Sequence, residues 1–247
     1  MDFSILATWD GIVYLIILSL LEIVLGIDNI IFISIITDRL PKENQRTARN
    51  IGLTLALIVR LILLTFVAWI MQMTTPLFTV FEIPISGQSL VLLLGGLFLI
   101  YKSTTEMHNS VTGHEEHAQK GKVTLKGVIT QIVLIDIVFS FDSIISAIGM
   151  TNGMGDGSHD PMIIIYIAVI VAMIVMLAFA KQISDFINNR PTIKMIALGF
   201  LVTIGVILVA EAFGQHIPKG YIYFAMVYSL AVEFLNIRMR KNKSETE

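Results

Sequence analysis

Seven apolar stretches, each near the roughly 20 residues a helix needs to cross a hydrocarbon core, constrain what this chain can become. They cover about 11–36, 51–72, 86–101, 125–150, 162–180, 193–213 and 221–237. In lipid, backbone N–H and C=O groups have no water to bond, so stretches of this kind must close their hydrogen bonds internally as helices. Only 15% of the residues are charged, against about 25% in ordinary globular domains. The expected fold class is therefore all-α: a polytopic membrane protein of about seven transmembrane helices. The first run holds Glu22 and Asp28 and is preceded by Asp2 and Asp10 rather than a basic segment, so it reads as a span and not as a cleavable signal.

Lys and Arg residues set the expected orientation, because they are retained on the cytoplasmic side. Fifteen of the 17 fall in alternate connections. Arg39, Lys42, Arg46 and Arg49 are in the first, Lys102, Lys120, Lys122 and Lys126 in the third, Lys181, Arg190 and Lys194 in the fifth, and Arg238, Arg240, Lys241 and Lys243 in the tail. Lys219 is on the opposite side and Arg60 is inside a span. Seven crossings keep this alternation; six or eight break it. The reading is a multi-pass cell-membrane protein with its N-terminus outside and its C-terminus in the cytoplasm. Trp9 and Trp69 fall at outer span ends, where interfacial anchors belong.

Within this apolar background one charged pattern occurs twice, 114 residues apart. Glu22-Ile-Val-Leu-Gly26-Ile-Asp28-Asn29 is in the first span and Asp136-Ile-Val-Phe-Ser140-Phe-Asp142-Ser143 in the fourth. Carboxyl groups at membrane depth cost on the order of 2.5–3.5 kcal/mol each even on lenient scales, which marks them as functional by default. With three spans per unit the second copy crosses the membrane in the opposite sense. The expected organisation is a single membrane domain of two inverted three-helix repeats, about 11–101 and 125–213. A cytoplasmic loop at 102–124 joins them, and a seventh helix at 221–237 and a basic tail at 238–247 follow. Inverted repeats bind substrate near the midplane, at the repeat interface. Residues seven apart share a helix face, so Glu22 aligns with Asn29 and Asp136 with Ser143. Gly26 and Ser140 lie between the acids and suggest a local break in each helix.

The site expected from these halves comprises Glu22, Asp28, Asn29, Asp136, Asp142 and Ser143. All six offer oxygen. The chain has no cysteine and no histidine in any span, and all-oxygen sites suit hard divalent ions such as Mg²⁺, Ca²⁺ and Mn²⁺. Carboxyls left over after such an ion binds could exchange protons, a route to antiport. Arg60 is a candidate charge-balancing or pathway residue, with Glu211 and Glu233 near span ends as further pathway candidates. His108, His114, Glu115, Glu116 and His117 in the third connection, and Asp156, His159 and Asp160 in an outer loop, read as solvated polar segments. The near-neutral charge, −2 at pH 7, gives no sign of a nucleic-acid partner; the partners expected are the lipid bilayer and a cation.

Glu22 with Leu25-Gly26-Ile27-Asp28-Asn29, together with Asp136 and Phe141-Asp142-Ser143, resembles the TerC family of integral membrane proteins, and the similarity extends over essentially the whole chain. The resemblance implies Mn²⁺ as the transported ion and export as the direction. Two other readings stand beside it: a proton-coupled transporter of another solute, and a scaffold that transports nothing. Intramembrane aspartyl proteases also place one Asp on each of two spans. Their pattern has Gly directly before one Asp, where this chain has Ile27 and Phe141, so no enzymatic activity is expected.

Overall fold

The structure is a computed structural model that describes residues 8–80, 83–112, 124–151, 162–215, 217–218 and 220–244. Its elements are α1 (Trp9–Asp38), α2 (Lys42–Thr65), α3 (Val67–Gln72), β1 (Pro76–Val80), β2 (Ile83–Ser86), α4 (Gly87–Thr112), α5 (Leu125–Thr151), α6 (Met162–Asn188), α7 (Pro191–Ala212) and α8 (Gly220–Ser244). All of these helices except α3 have the length and apolarity to cross a membrane, seven in total among the described residues. The all-α, seven-span expectation therefore holds.

Local chemistry sets the helix boundaries. The Thr8 side chain accepts the Gly11 N–H at 3.1 Å and caps α1, with Asp10 in the first turn on the favourable side of the helix dipole. α1 and α2 are separated by Arg39, Leu40 and Pro41, the last unable to continue a helix. Phe66 leaves the helical region (φ −93°, ψ 26°). The second apolar stretch is thus two helices, α2 and α3, rather than one. Ser86 caps α4 by accepting the Ser89 N–H at 3.1 Å. α4 continues to Thr112, so 102–112 is helical where a loop was expected; Ser103 and Glu106 are buried there and Met107 packs on the core, so tertiary contacts outweigh the weak helix preference of the Ser, Thr and Asn residues.

Packing follows three main pairs: α1 against α6, α4 against α7, and α2 against α5. The α4–α7 contact is backbone to backbone. A Cβ on Gly96 would stand 2.7 Å from the Gly205 carbonyl oxygen, and one on Gly205 2.9 Å from that of Gly96. Small residues permit this close approach, which drives helix association in lipid. α8 docks on α7 and exposes Tyr221, Phe224, Tyr228 and Leu235, a face suited to lipid.

The expected break at Gly26 and Ser140 does not occur: α1 and α5 run unbroken through both residues. Gly26 serves packing instead. A Cβ there would stand 2.2 Å from Met176 Sδ on α6.

The interior holds two apolar cores. One contains Ile30, Phe32, Ile36, Ile132, Met173 and Leu198, the other Leu18, Leu64, Phe141, Ile144, Ile164 and Val169. On α1 the first core begins at Ile30 and the second includes Leu18; on α5 the first ends at Val138 and the second begins at Phe141. The charged motif on each helix lies at the seam between them.

Candidate ion-binding site

Arg60 is the centre of the seam. It is 2% exposed, which for an arginine requires partners on every side. Nη1 donates to Glu22 Oε2 at 2.8 Å, Nη2 to Asp136 Oδ1 at 3.2 Å, and Nε to Ser140 Oγ at 3.0 Å. The planar guanidinium presents its donors as a fork, here spread across carboxylates of two different helices. Glu22 comes from α1 and Asp136 from α5, so α2 ties together the two helices that carry the repeated motif.

Side chains around the fork complete its hydrogen bonds. Asn29 Nδ2 donates to Asp136 Oδ1 at 3.1 Å. Ser140 Oγ donates to Asp136 Oδ2 at 3.3 Å while accepting from Arg60. Hydrogen bonds in which donor or acceptor is ionised are roughly twice as strong as neutral ones, and in this buried layer Arg60 makes three of them. The i, i+4 spacing of Asp136 and Ser140 puts both on one face of α5, which is why one guanidinium reaches both.

Beside Arg60 is a cavity of about 30 Å³ whose lining includes Asp28, Ser143, Phe139, Ile204, Leu208 and Tyr223. A water-sized species needs about 10–15 Å³, so the cavity has room for two or three such species, enough for a cation that has shed most of its hydration shell. Asp28 and Ser143 are buried. The Tyr223 hydroxyl donates to Asp28 Oδ2 at 3.4 Å. Tyr223 belongs to the first turn of α8, so the seventh helix supplies a polar group to a layer otherwise built from α1, α2 and α5. The sequence gives no hint of this: a tyrosine at the start of an apolar run reads as an interfacial anchor.

Glu22, Asn29, Asp136 and Arg60 are thus in direct contact, and Asp28 and Ser143 face the adjoining cavity. Asp142 is in α5, and its side chain lies outside the described residues, as do His114, Glu115, Glu116, His117, Asp156, His159 and Asp160. His108 is on α4, with its carbonyl accepting from Thr112 Oγ1 at 2.8 Å. The Glu211 side chain, at the end of α7, has both carboxyl oxygens buried with no hydrogen-bond partner among the described residues. Glu233 is ten residues beyond Tyr223 on α8, about 15 Å along the axis, and accepts from Asn236 at 3.4 Å; it is not part of the layer. Among the described residues no three Asp, Glu or His side chains converge closely enough to hold a metal ion. Arg60 occupies the space between Glu22 and Asp136, and any cation bound by both would have to displace it.

Comparison with known proteins places this architecture. A UPF0053 protein of Haemophilus influenzae is 49% identical over 241 residues, 97% of this chain and 98% of its own length. The UPF0053 inner membrane protein YgdQ of Escherichia coli K12 is 48% identical over 226 residues, 91% of this chain and 92% of its own. The E. coli inner membrane protein YoaE is 45% identical over 95% of this chain, which corresponds to 43% of that longer protein. No solved structure matches the chain. A family model described as "Integral membrane protein TerC family" matches residues 7–247, and on this full-length agreement the chain belongs to the TerC family of integral membrane proteins.

Proposed function

We propose that the protein exports a divalent metal cation, Mn²⁺ in the first instance, through the carboxyl layer around Arg60. The observation that carries this reading is the convergence of the two motif copies on one cation: Glu22 of α1 and Asp136 of α5 share the Arg60 guanidinium, and Asp28 is buried at the wall of the adjoining cavity. Ionisable side chains at this depth mark ion pathways by default, and an oxygen-rich layer of this kind suits a hard cation. Mg²⁺ and Ca²⁺ have compatible ligand chemistry; the family resemblance favours Mn²⁺ and the outward direction.

On this reading Glu22 and Asp136 hold the ion in turn with Arg60. In the conformation described here the guanidinium bridges them. An incoming divalent ion replaces it, with Asp28, Asn29, Asp142 and Ser143 as further oxygen ligands. Protons taken up by the carboxyls on the return step provide the coupling. The helix pairing agrees with two inverted repeats. Exchanging the two units converts the α1–α6 pair into α5–α2 and maps α4–α7 onto itself, and all three are the principal contacts. The distribution of basic residues supports a cytoplasmic C-terminus, and the names of the E. coli relatives support the inner membrane.

Cells challenged with excess Mn²⁺ test the function. Carrying the wild-type protein they should hold less manganese than cells carrying Asp28→Asn or Asp142→Asn. Equal manganese in all three rejects export by this site.

A further inference from the structure

A second group of buried charges lies at the end of the bundle that carries the basic connections. Glu106 on α4 is ion-paired to Arg39, which follows α1, and to Lys194 on α7 at 3.9 Å. Lys194 also reaches Asp38, the last residue of α1, at 3.5 Å. Glu106 and Lys194 are 5% and 8% exposed. Buried ion pairs return little net stability after their desolvation cost, so stabilisation is a poor account of them.

Directly beside these charges is a smaller cavity, of about 10 Å³, whose lining includes Glu106, Lys102, Ser103, Phe32, Ile35 and Leu201. Ser103 is 2% exposed, and its hydroxyl oxygen has no hydrogen-bond partner among the described residues. A buried hydroxyl of this kind costs free energy unless something periodically satisfies it.

The two cavities follow one another along α1 and α7. Asp28 lines the first and Phe32 the second, one helical turn apart. Ile204 lines the first and Leu201 the second, again about one turn apart. Asp38 is ten residues past Asp28, about 15 Å along the axis. The charged cluster, the smaller cavity and the cavity beside Arg60 therefore follow one another in that order along α1, with Phe32 and Leu201 packed between them.

We propose that Asp38, Ser103 and Glu106 form the mouth through which a hard divalent cation reaches the Arg60 layer, closed in this conformation by Lys194 and Arg39. This rests on the cation reading of that layer. The logic is the same at both levels: carboxylates are held by a cation tethered to the protein, and a divalent ion replaces that cation. The mouth joins α1 and α4 to α7, so opening it requires movement between the two proposed repeats.

The natural absence of cysteine makes the test direct. Ser103→Cys is introduced alone, and its reaction with a water-soluble maleimide is followed in membrane vesicles of each orientation. Labelling should be slow and confined to the face bearing the basic connections. Adding Lys194→Met or Glu106→Gln should raise the rate at least tenfold, while Lys194→Arg, which keeps the ion pairs, stays slow. Equal rates in all four proteins, or labelling only from the opposite face, overturns the proposal. With Lys194→Met in place, Mn²⁺ alone should slow labelling several-fold, and absence of protection overturns the assignment of the mouth to a cation. These readouts need no transport, so failure of the mouth is separable from failure of the export reading, which cellular manganese content tests alone.

Discussion

Replacing Arg60 with methionine separates the two roles assigned to the carboxyl layer. The substitution keeps an unbranched but shorter side chain and removes the donors at 2.8 Å from Glu22, 3.2 Å from Asp136 and 3.0 Å from Ser140. It leaves two carboxyl groups buried without their counter-charge. Removing one partner of a buried ion pair typically costs about 3–5 kcal/mol. At roughly 2–4 °C per kcal/mol for a chain of this size, the melting temperature in chelator should fall by on the order of 10 °C. The same change removes the guanidinium that a metal must displace. Purified protein in detergent, melted in EDTA and then across a Mn²⁺ titration, reads both effects. Arg60→Met should be the less stable protein in EDTA and should gain more from Mn²⁺ than wild type does. Its half-maximal concentration should be lower by about 10- to 100-fold, the equivalent of about 1.4–2.8 kcal/mol. If the variant melts with wild type in EDTA, Arg60 is not the counter-charge of this layer. If Mn²⁺ shifts both proteins equally, Arg60 and the metal do not compete.

Further tests address the packing and the seventh helix. Gly96→Ala should cost about 1–3 kcal/mol as an overpacking change, because the new Cβ meets the Gly205 backbone carbonyl at 2.7 Å and only separation of α4 from α7 relieves it. Gly26→Ala should cost less, since its nearest neighbour is the Met176 side chain, which can change rotamer; thermal melts of the two variants compare them, and the reverse order refutes the backbone-contact account. Tyr223→Phe removes the hydroxyl that donates to Asp28 at 3.4 Å. Loss of one such bond, about 0.5–1.5 kcal/mol, should weaken the Mn²⁺-dependent stabilisation by about two- to tenfold in concentration, and an unchanged titration removes Tyr223 from the site.

The amino-acid sequence discloses the spans because lipid forces helix on any long apolar stretch, and the seven helices lie where those stretches are. Their ends are less legible. The β1–β2 hairpin, with Val80 opposite Ile83 and a bulge between Pro76 and Phe78, lies in a connection whose sequence signals only the lack of basic residues. Gly26 was open to two physical meanings, a helix break or a close contact, and only the position of Met176 on another helix decides between them. The repeated motif marks Glu22 and Asp136 by cost alone, and Arg60 by being the basic residue that lies far from either end of its span. Which acids Arg60 bridges depends on how α2 packs on α1 and α5, and no spacing within one helix contains that. Tyr223 and the Asp38–Lys194–Glu106–Arg39 cluster were illegible for the same reason: each is assembled from helices distant in the chain.

The central claim is that the Arg60 layer carries a divalent cation across the membrane. Protein reconstituted into liposomes containing a Mn²⁺-quenched dye tests it most directly, with wild type compared to Glu22→Gln. Glu22 bonds Arg60 at 2.8 Å, and its amide analogue keeps the shape of the site while removing one charge. The account predicts Mn²⁺-dependent quenching by wild type and its reduction by at least tenfold in Glu22→Gln. Quenching no faster than in protein-free liposomes, or equal rates for the two proteins, contradicts it.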